Sequence, residues 1–146
     1  MDKIILAIMQ QLRQGLPELS YIDEDYGQLE SSDEDGYPVT FPAVLIENPD
    51  TDWETIGFKA QTGTTFISFK LAIDCYDDTH VGSGTEDKIS ERYAINRKIY
   101  DIFQDCILDE RMEGMNRVKS KSYTMDGGIK VYETTFCFDF HDGQIL

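Results

Sequence analysis

Residues 64–78, TTFISFKLAIDCYDD, and residues 86–103, EDKISERYAINRKIYDIF, decide how the chain is organised. In an extended chain the first stretch puts Thr65, Ile67, Phe69, Leu71, Ile73 and Cys75 on one side. Phe66, Ser68, Lys70, Ala72 and Asp74 fall on the other. Side chains alternate across a strand, so a sheet with one apolar and one mixed face is expected, covered by helices on a single side. In the second stretch Ile89, Tyr93, Asn96, Tyr100, Phe103 and Ile107 recur at helical spacing, with Ile95, Ile99, Ile102 and Cys106 close beside them. That predicts a long helix with a wide apolar face, part of it available to a neighbouring subunit. Ser83 followed by Glu86 has the form of a capping box, which places the helix start there.

Working outward, Ile5, Met9, Leu12 and Leu16, widened by Ile4 and Ile8, give residues 2–14 an amphipathic helical stripe that Gly15 and Pro17 end. Leu19–Asp23 is a short candidate strand, and Ala43–Glu47 a second, led by Pro42. Trp53–Phe58 is a third, with Gln61–Gly63 as its hairpin connection to the long strand. Beyond the long helix, Glu110–Asn116 reads as a polar turn. Arg117–Met125 and Ile129–Phe140 then form a hairpin around Asp126, Gly127 and Gly128. In its second strand Tyr132, Thr134, Phe136, Phe138 and Phe140 share the face expected to meet the core. The order is helix, three or four strands, helix, two strands. The fold class is therefore α+β, a mainly antiparallel sheet of four to six strands with both helices on one face.

At 146 residues the chain is expected to form a single domain, 1–146, around one core. It carries 13 Lys plus Arg against 28 Asp plus Glu, a formal charge of −15. Binding to phosphate depends on cationic side chains, so nucleic acid and anionic membrane are disfavoured as direct partners. The cations are also unevenly placed: no Lys or Arg stands between Glu18 and Phe58, and Glu24–Gly36 is expected to be a mobile, solvated acidic loop. Cys75, Cys106 and Cys137 are isolated among apolar neighbours, which suits core thiols in a reducing compartment better than disulfides. The first residues show a helical pattern instead of a signal peptide or membrane span, so synthesis in the cytoplasm is expected.

No catalytic constellation emerges. Gly82, Ser83 and Gly84 lie between strand and helix, where phosphate loops occur, but Asp87 stands where a dinucleotide fingerprint needs glycine. Glu86 and Asp87 would also set negative charge where the phosphate must sit. Asp33, Asp35 and Gly36 resemble part of a calcium loop, yet the position of its bidentate Glu holds Pro42. His80 and His141 have no partners at metal-ligand spacing. A non-enzymatic protein without cofactor or metal is expected. The candidate subunit contact joins a cationic stripe, Arg117, Lys119 and Lys121, to the acidic Asp33, Glu34 and Asp35 of the next copy; the plain alternative is a solvated strand face.

In element order the chain resembles the tail terminator, or tail completion, proteins of long-tailed bacteriophages and prophages. The likeness rests on the helix Ile4–Leu12, the proline-led FPAVLIE at 41–47, the long strand and helix quoted above, and the terminal strand pair. It implies a structural protein that caps the growing tail tube as a ring, expected to be hexameric, and takes part in head–tail joining. Its partners would be its own copies, the tail tube protein and the head–tail connector protein. It would reside in the virion tail after assembly in the host bacterial cytoplasm. The rival is a small acidic binding or inhibitor protein, toxin-neutralising or DNA-mimicking, which expects a monomer or dimer with carboxylates gathered on one face.

Overall fold

The computed structural model describes residues 1–30 and 39–143. Within them the elements are α1 (Asp2–Gly15), β1 (Tyr21–Glu24), β2 (Ala43–Ile46), β3 (Asp50–Gly57), β4 (Ala60–Asp74), α2 (Lys88–Phe103), β5 (Asn116–Met125) and β6 (Ile129–Asp142). The six strands form one sheet in the order β1-β2-β4-β6-β5. Only the β1–β2 pair is parallel. This is the expected α+β class, with four strands between the helices.

β4 is the axis of the sheet. It pairs with β6 along nearly its whole length, from Gln61↔Asp142 to Asp74↔Ile129. Its other edge is shared by two strands: β2 covers Phe69–Ala72, and β3 covers Ala60–Phe66. The expected alternation holds, since Thr65, Ile67, Phe69 and Leu71 are buried on one face while Phe66 is exposed on the other. β6 matches it, with Tyr132, Thr134, Phe136, Phe138 and Phe140 all buried.

Both helices cover that face. Ile4, Ile8 and Leu12 of α1 and Ile99 and Phe103 of α2 belong to one buried cluster with Ile67, Phe69, Leu71 and Phe136. Each large side chain so buried contributes about 1.5–3 kcal/mol from removed apolar surface. At its centre Phe69 stacks on Phe103 at 4.9 Å and meets Phe136 at 5.7 Å. Aromatic pairs of this kind add about 0.5–1.5 kcal/mol beyond area burial. A smaller cluster, Ala43, Ala72 and Val131, lies on the opposite face beneath Tyr21, Leu29, Val39 and Phe41.

Several expectations are corrected. The β3–β4 connection is Phe58 and Lys59, not Gln61–Gly63, and Lys59 takes a left-handed φ of 55° to close it. Gly63 is instead a strand residue: a Cβ there would come within 2.6 Å of Thr51 and 2.9 Å of the Trp53 ring, so its bare backbone seats the indole. Ser83 and Glu86 do pair, at 2.9 Å, but one turn too early. The Glu86 carboxylate takes the Gly84 N–H, and the helix begins at Lys88 without a side-chain cap.

The core stripe of α2 is also rotated from the expected one. Arg92, Ile99 and Phe103 are buried with Ile95 and Ile102 packed beside them, while Ile89 and Tyr93 are 39% and 54% exposed. Two adjacent apolar stripes compete on this helix, and the core takes Phe103, which stacks on Phe69, from the first and Ile95, Ile99 and Ile102 from the second. The segment expected as a polar turn, Glu110–Asn116, sends Met112 and Met115 into the core. Cys75, Cys106 and Cys137 are half-buried, not core residues. Residues 24–30 are pinned to the sheet: the Asp25 N–H donates to the Ile46 carbonyl, and Gln28 Nε2 to the Glu24 carbonyl. The rest of the expected acidic loop, 31–36, lies outside the described residues.

Candidate functional site

The expected cationic stripe does not lie on one face. β5 carries a bulge between Arg117 and Lys119, so that Arg117 pairs with Phe136 while Lys119 and Lys121 pair with Thr135 and Glu133. Phe136 points to the helix face and Glu133 away from it, and directly paired residues share a face. The single extra residue, Val118, therefore inverts the alternation. Arg117 lies on the helix side, its guanidinium 4.2 Å from the Tyr100 ring centre. Arg97 approaches the same ring at 4.4 Å. Asp33, Glu34 and Asp35, the expected acidic half of the contact, lie outside the described residues.

On the open face, Lys121 joins a network that the sequence did not announce. Lys70 Nζ lies 2.8 Å from Asp25 Oδ2 and 3.3 Å from Glu47 Oε1, and Lys121 Nζ is 3.7 Å from Glu133. Desolvation works to lower the Lys70 ammonium, but the hydrogen bond and charge of Asp25, with Glu47, outweigh it and hold the group above the usual lysine range. Burial, then the charge of Glu47, pushes the Glu133 carboxyl up. Tyr21, at the other end of this face, is pushed up to about 12 by burial and by its bond with Tyr26. These groups compensate one another and aim at no common empty point, so the network reads as a brace that ties residue 25 and β2 to the sheet.

Toward the β3 end of the open face the charge is one-sided. Asp50, Asp52 and Glu54 pair with Phe66, Thr64 and Thr62, and Asp139 pairs with Thr64 from the other strand. All four carboxylates are exposed, share the open face, and have no ion-pair partner among the described residues. Exposed Ile56 and Phe58 stand at the tip of the same arm. Acidic residues at steps of two, as at 50, 52 and 54, are a period-two signal that sequence inspection could have used.

Two recesses among the described residues carry no carboxylate. One, about 950 Å³ between α1 and β1, is open and lined by Met9, Arg13, Leu19, Tyr21 and Ile22, with Arg13 its one charged side chain among the described residues. A second, about 330 Å³, lies between the first turns of α2 and the β5–β6 end of the sheet and contains Arg92 and Lys130. Among the described residues no group of three or more His, Cys, Asp or Glu is placed to hold a metal, and no helix is long and apolar enough to cross a membrane.

Comparison with known proteins adds a likeness of fold. No family model and no curated protein matches the chain. Among solved structures, a chain of "Virion of native gene transfer agent (GTA) particle" superposes with a TM-score of 0.63 at 11% identity, over 96% of each chain. At that identity the likeness is one of fold.

Proposed function

We propose that the protein is a structural subunit of a phage-like virion, one that closes the end of the tail tube as a hexameric ring and helps join tail to head. The observation that carries this reading is the full-length fold likeness to a chain of a gene transfer agent virion. The element order, which resembles that of tail terminator proteins, supports it from the sequence side. In this reading the protein is not an enzyme. Its partners are its own copies, the tail tube protein and the head–tail connector protein, and it works in the virion tail after assembly in the host cytoplasm.

The charge arrangement is compatible with repeated head-to-tail contact. Asp139 and Lys130 lie on the same strand roughly 30 Å apart at 3.4 Å per residue, so the acidic arm and the Arg92–Lys130 recess occupy opposite ends of one subunit. Complementary ends favour heterologous contacts, which close into rings when the rotation allows. Electron microscopy of the concentrated protein tests the reading. Rotationally symmetric rings with a central opening are expected, and a field of single-copy particles at every concentration contradicts it.

The gathered carboxylates of the arm favour a second reading, a small acidic binding or inhibitor protein. It expects a stable one-to-one complex with a basic protein and no closed ring.

A further inference from the structure

We infer that the recess between α2 and the β5–β6 end is a binding site for a single carboxylate, with Arg92 as its principal ligand. Arg92 is 8% exposed, yet it has no ion-pair partner within 4 Å among the described residues of a chain with 28 Asp and Glu. Its Nε–H donates to Tyr132 Oη at 3.1 Å, the one hydrogen bond of its side chain among those residues. The Tyr93 ring meets the Tyr132 ring edge-on at 5.1 Å and so positions the phenol that accepts this bond. A nearly buried cation is costly without a counter-charge. Here the cost is borne beside an opening of about 330 Å³, lined also by Thr79, Ser122, Thr124 and Lys130. Hydroxyl donors and a second cation around a guanidinium fork are the groups that a carboxylate uses, through two parallel N–H donors.

The charge on the other side of Arg92 sets the ligand's valence. Asp74, Asp77, Glu91 and Lys88 line a separate recess of about 180 Å³ that Arg92 also borders, and Lys88 pairs with Glu91 at 3.2 Å. No carboxylate there reaches Arg92 as an ion pair, and with Glu91 taken up by Lys88 the charge of Asp74 and Asp77 disfavours a phosphate dianion and leaves room for a monoanion. Exposed Ile89 and Tyr93 flank the recess and suit a carboxylate that arrives on a protein side chain. The site stands independently of the virion reading, since it concerns one copy of the chain and a soluble probe.

The test is an NMR titration of the dilute protein, following the arginine Nε–Hε resonances as sodium acetate, the peptide acetyl-Ala-Glu-Ala-amide or inorganic phosphate is added at constant ionic strength. Saturable shifts confined to Arg92 and its neighbours are expected with acetate and the peptide. Tighter binding of the peptide identifies a protein side chain as the occupant, and equal binding identifies a free small acid. Lys130→Gln, at the rim, should weaken the shift severalfold, and Arg92→Gln by about tenfold or more. Non-saturating shifts shared equally by Arg97 and Arg117 overturn the proposal. Saturation by phosphate alone overturns the assignment to a carboxylate.

Discussion

The two faces of the β4–β6 pair draw on the same residues in alternation and yet are built on different principles. On the helix face, Phe69, Phe136, Phe138 and Phe140 are buried against α1 and α2. On the open face, Lys70, Glu133, Asp139 and their neighbours make a charged network at the centre and an unpaired acidic patch toward the arm. The comparison separates what holds the fold together from what it exposes to solvent. Removing apolar volume has no cheap remedy, whereas most open-face charges remain in contact with water.

Substitutions that break this contrast can be ranked. Phe69→Ala removes the ring shared by Phe103 and Phe136 and should cost about 3–5 kcal/mol in urea unfolding. A cost below about 1 kcal/mol would mean that the aromatic centre is not the core. Lys70→Met, on the opposite side of the same strand, strands the Asp25 and Glu47 carboxylates. It should cost about 1.5–3 kcal/mol, the scale of hydrogen bonds to a charged group. Because the folded protein holds Lys70 above the ordinary lysine value of 10.5, this deficit is present at neutral pH and fades only as pH rises beyond 10.5 through the raised folded value.

Glu133→Gln should act with the opposite sign. A carboxyl raised in the folded state favours folding below its ordinary value of 4.5, and that advantage is lost as pH rises through the folded value. The variant is therefore expected to melt slightly higher than wild type at pH 7 and to match it below pH 4.5, as followed by thermal unfolding across pH. The loss of the Lys121 contact limits the gain to less than about 1 kcal/mol. Smallest of all, Lys119→Gln should leave stability within about 0.5 kcal/mol, since the side chain is exposed and makes no ion pair among the described residues.

The helix face was legible in the sequence because burial on one side imposes a strict period. The alternation is realised over 65–71 and 132–140, while on α1 the buried line is Ile4, Ile8, Leu12 and Leu16, and Ile5 and Met9 of the expected stripe are only half-buried. The misplaced features share a cause: they depend on local geometry or distant contacts that period alone does not carry. Arg117, Lys119 and Lys121 spell a regular alternation, and one bulged residue divides them between faces. Met112 and Met115 stand among charged residues, and their burial comes from packing with the distant helix-face cluster, where Met112 forms a bridge to Phe140. Arg92 had a usable signal, since it precedes Ile95, Ile99 and Phe103 at helical spacing and so shares their stripe. A charged residue in that register marks either a helix margin or a buried cation, and only the fold distinguishes them.

The proposal that the chain works as one of several identical copies in a ring is tested most directly by its mass in solution. Multi-angle light scattering at low and high salt should find, in the concentrated protein, a closed species at a fixed multiple of the 16.7 kDa chain. The complex should weaken at high salt if charged ends make the contact. A mass of 16.7 kDa at every concentration and salt would contradict the account.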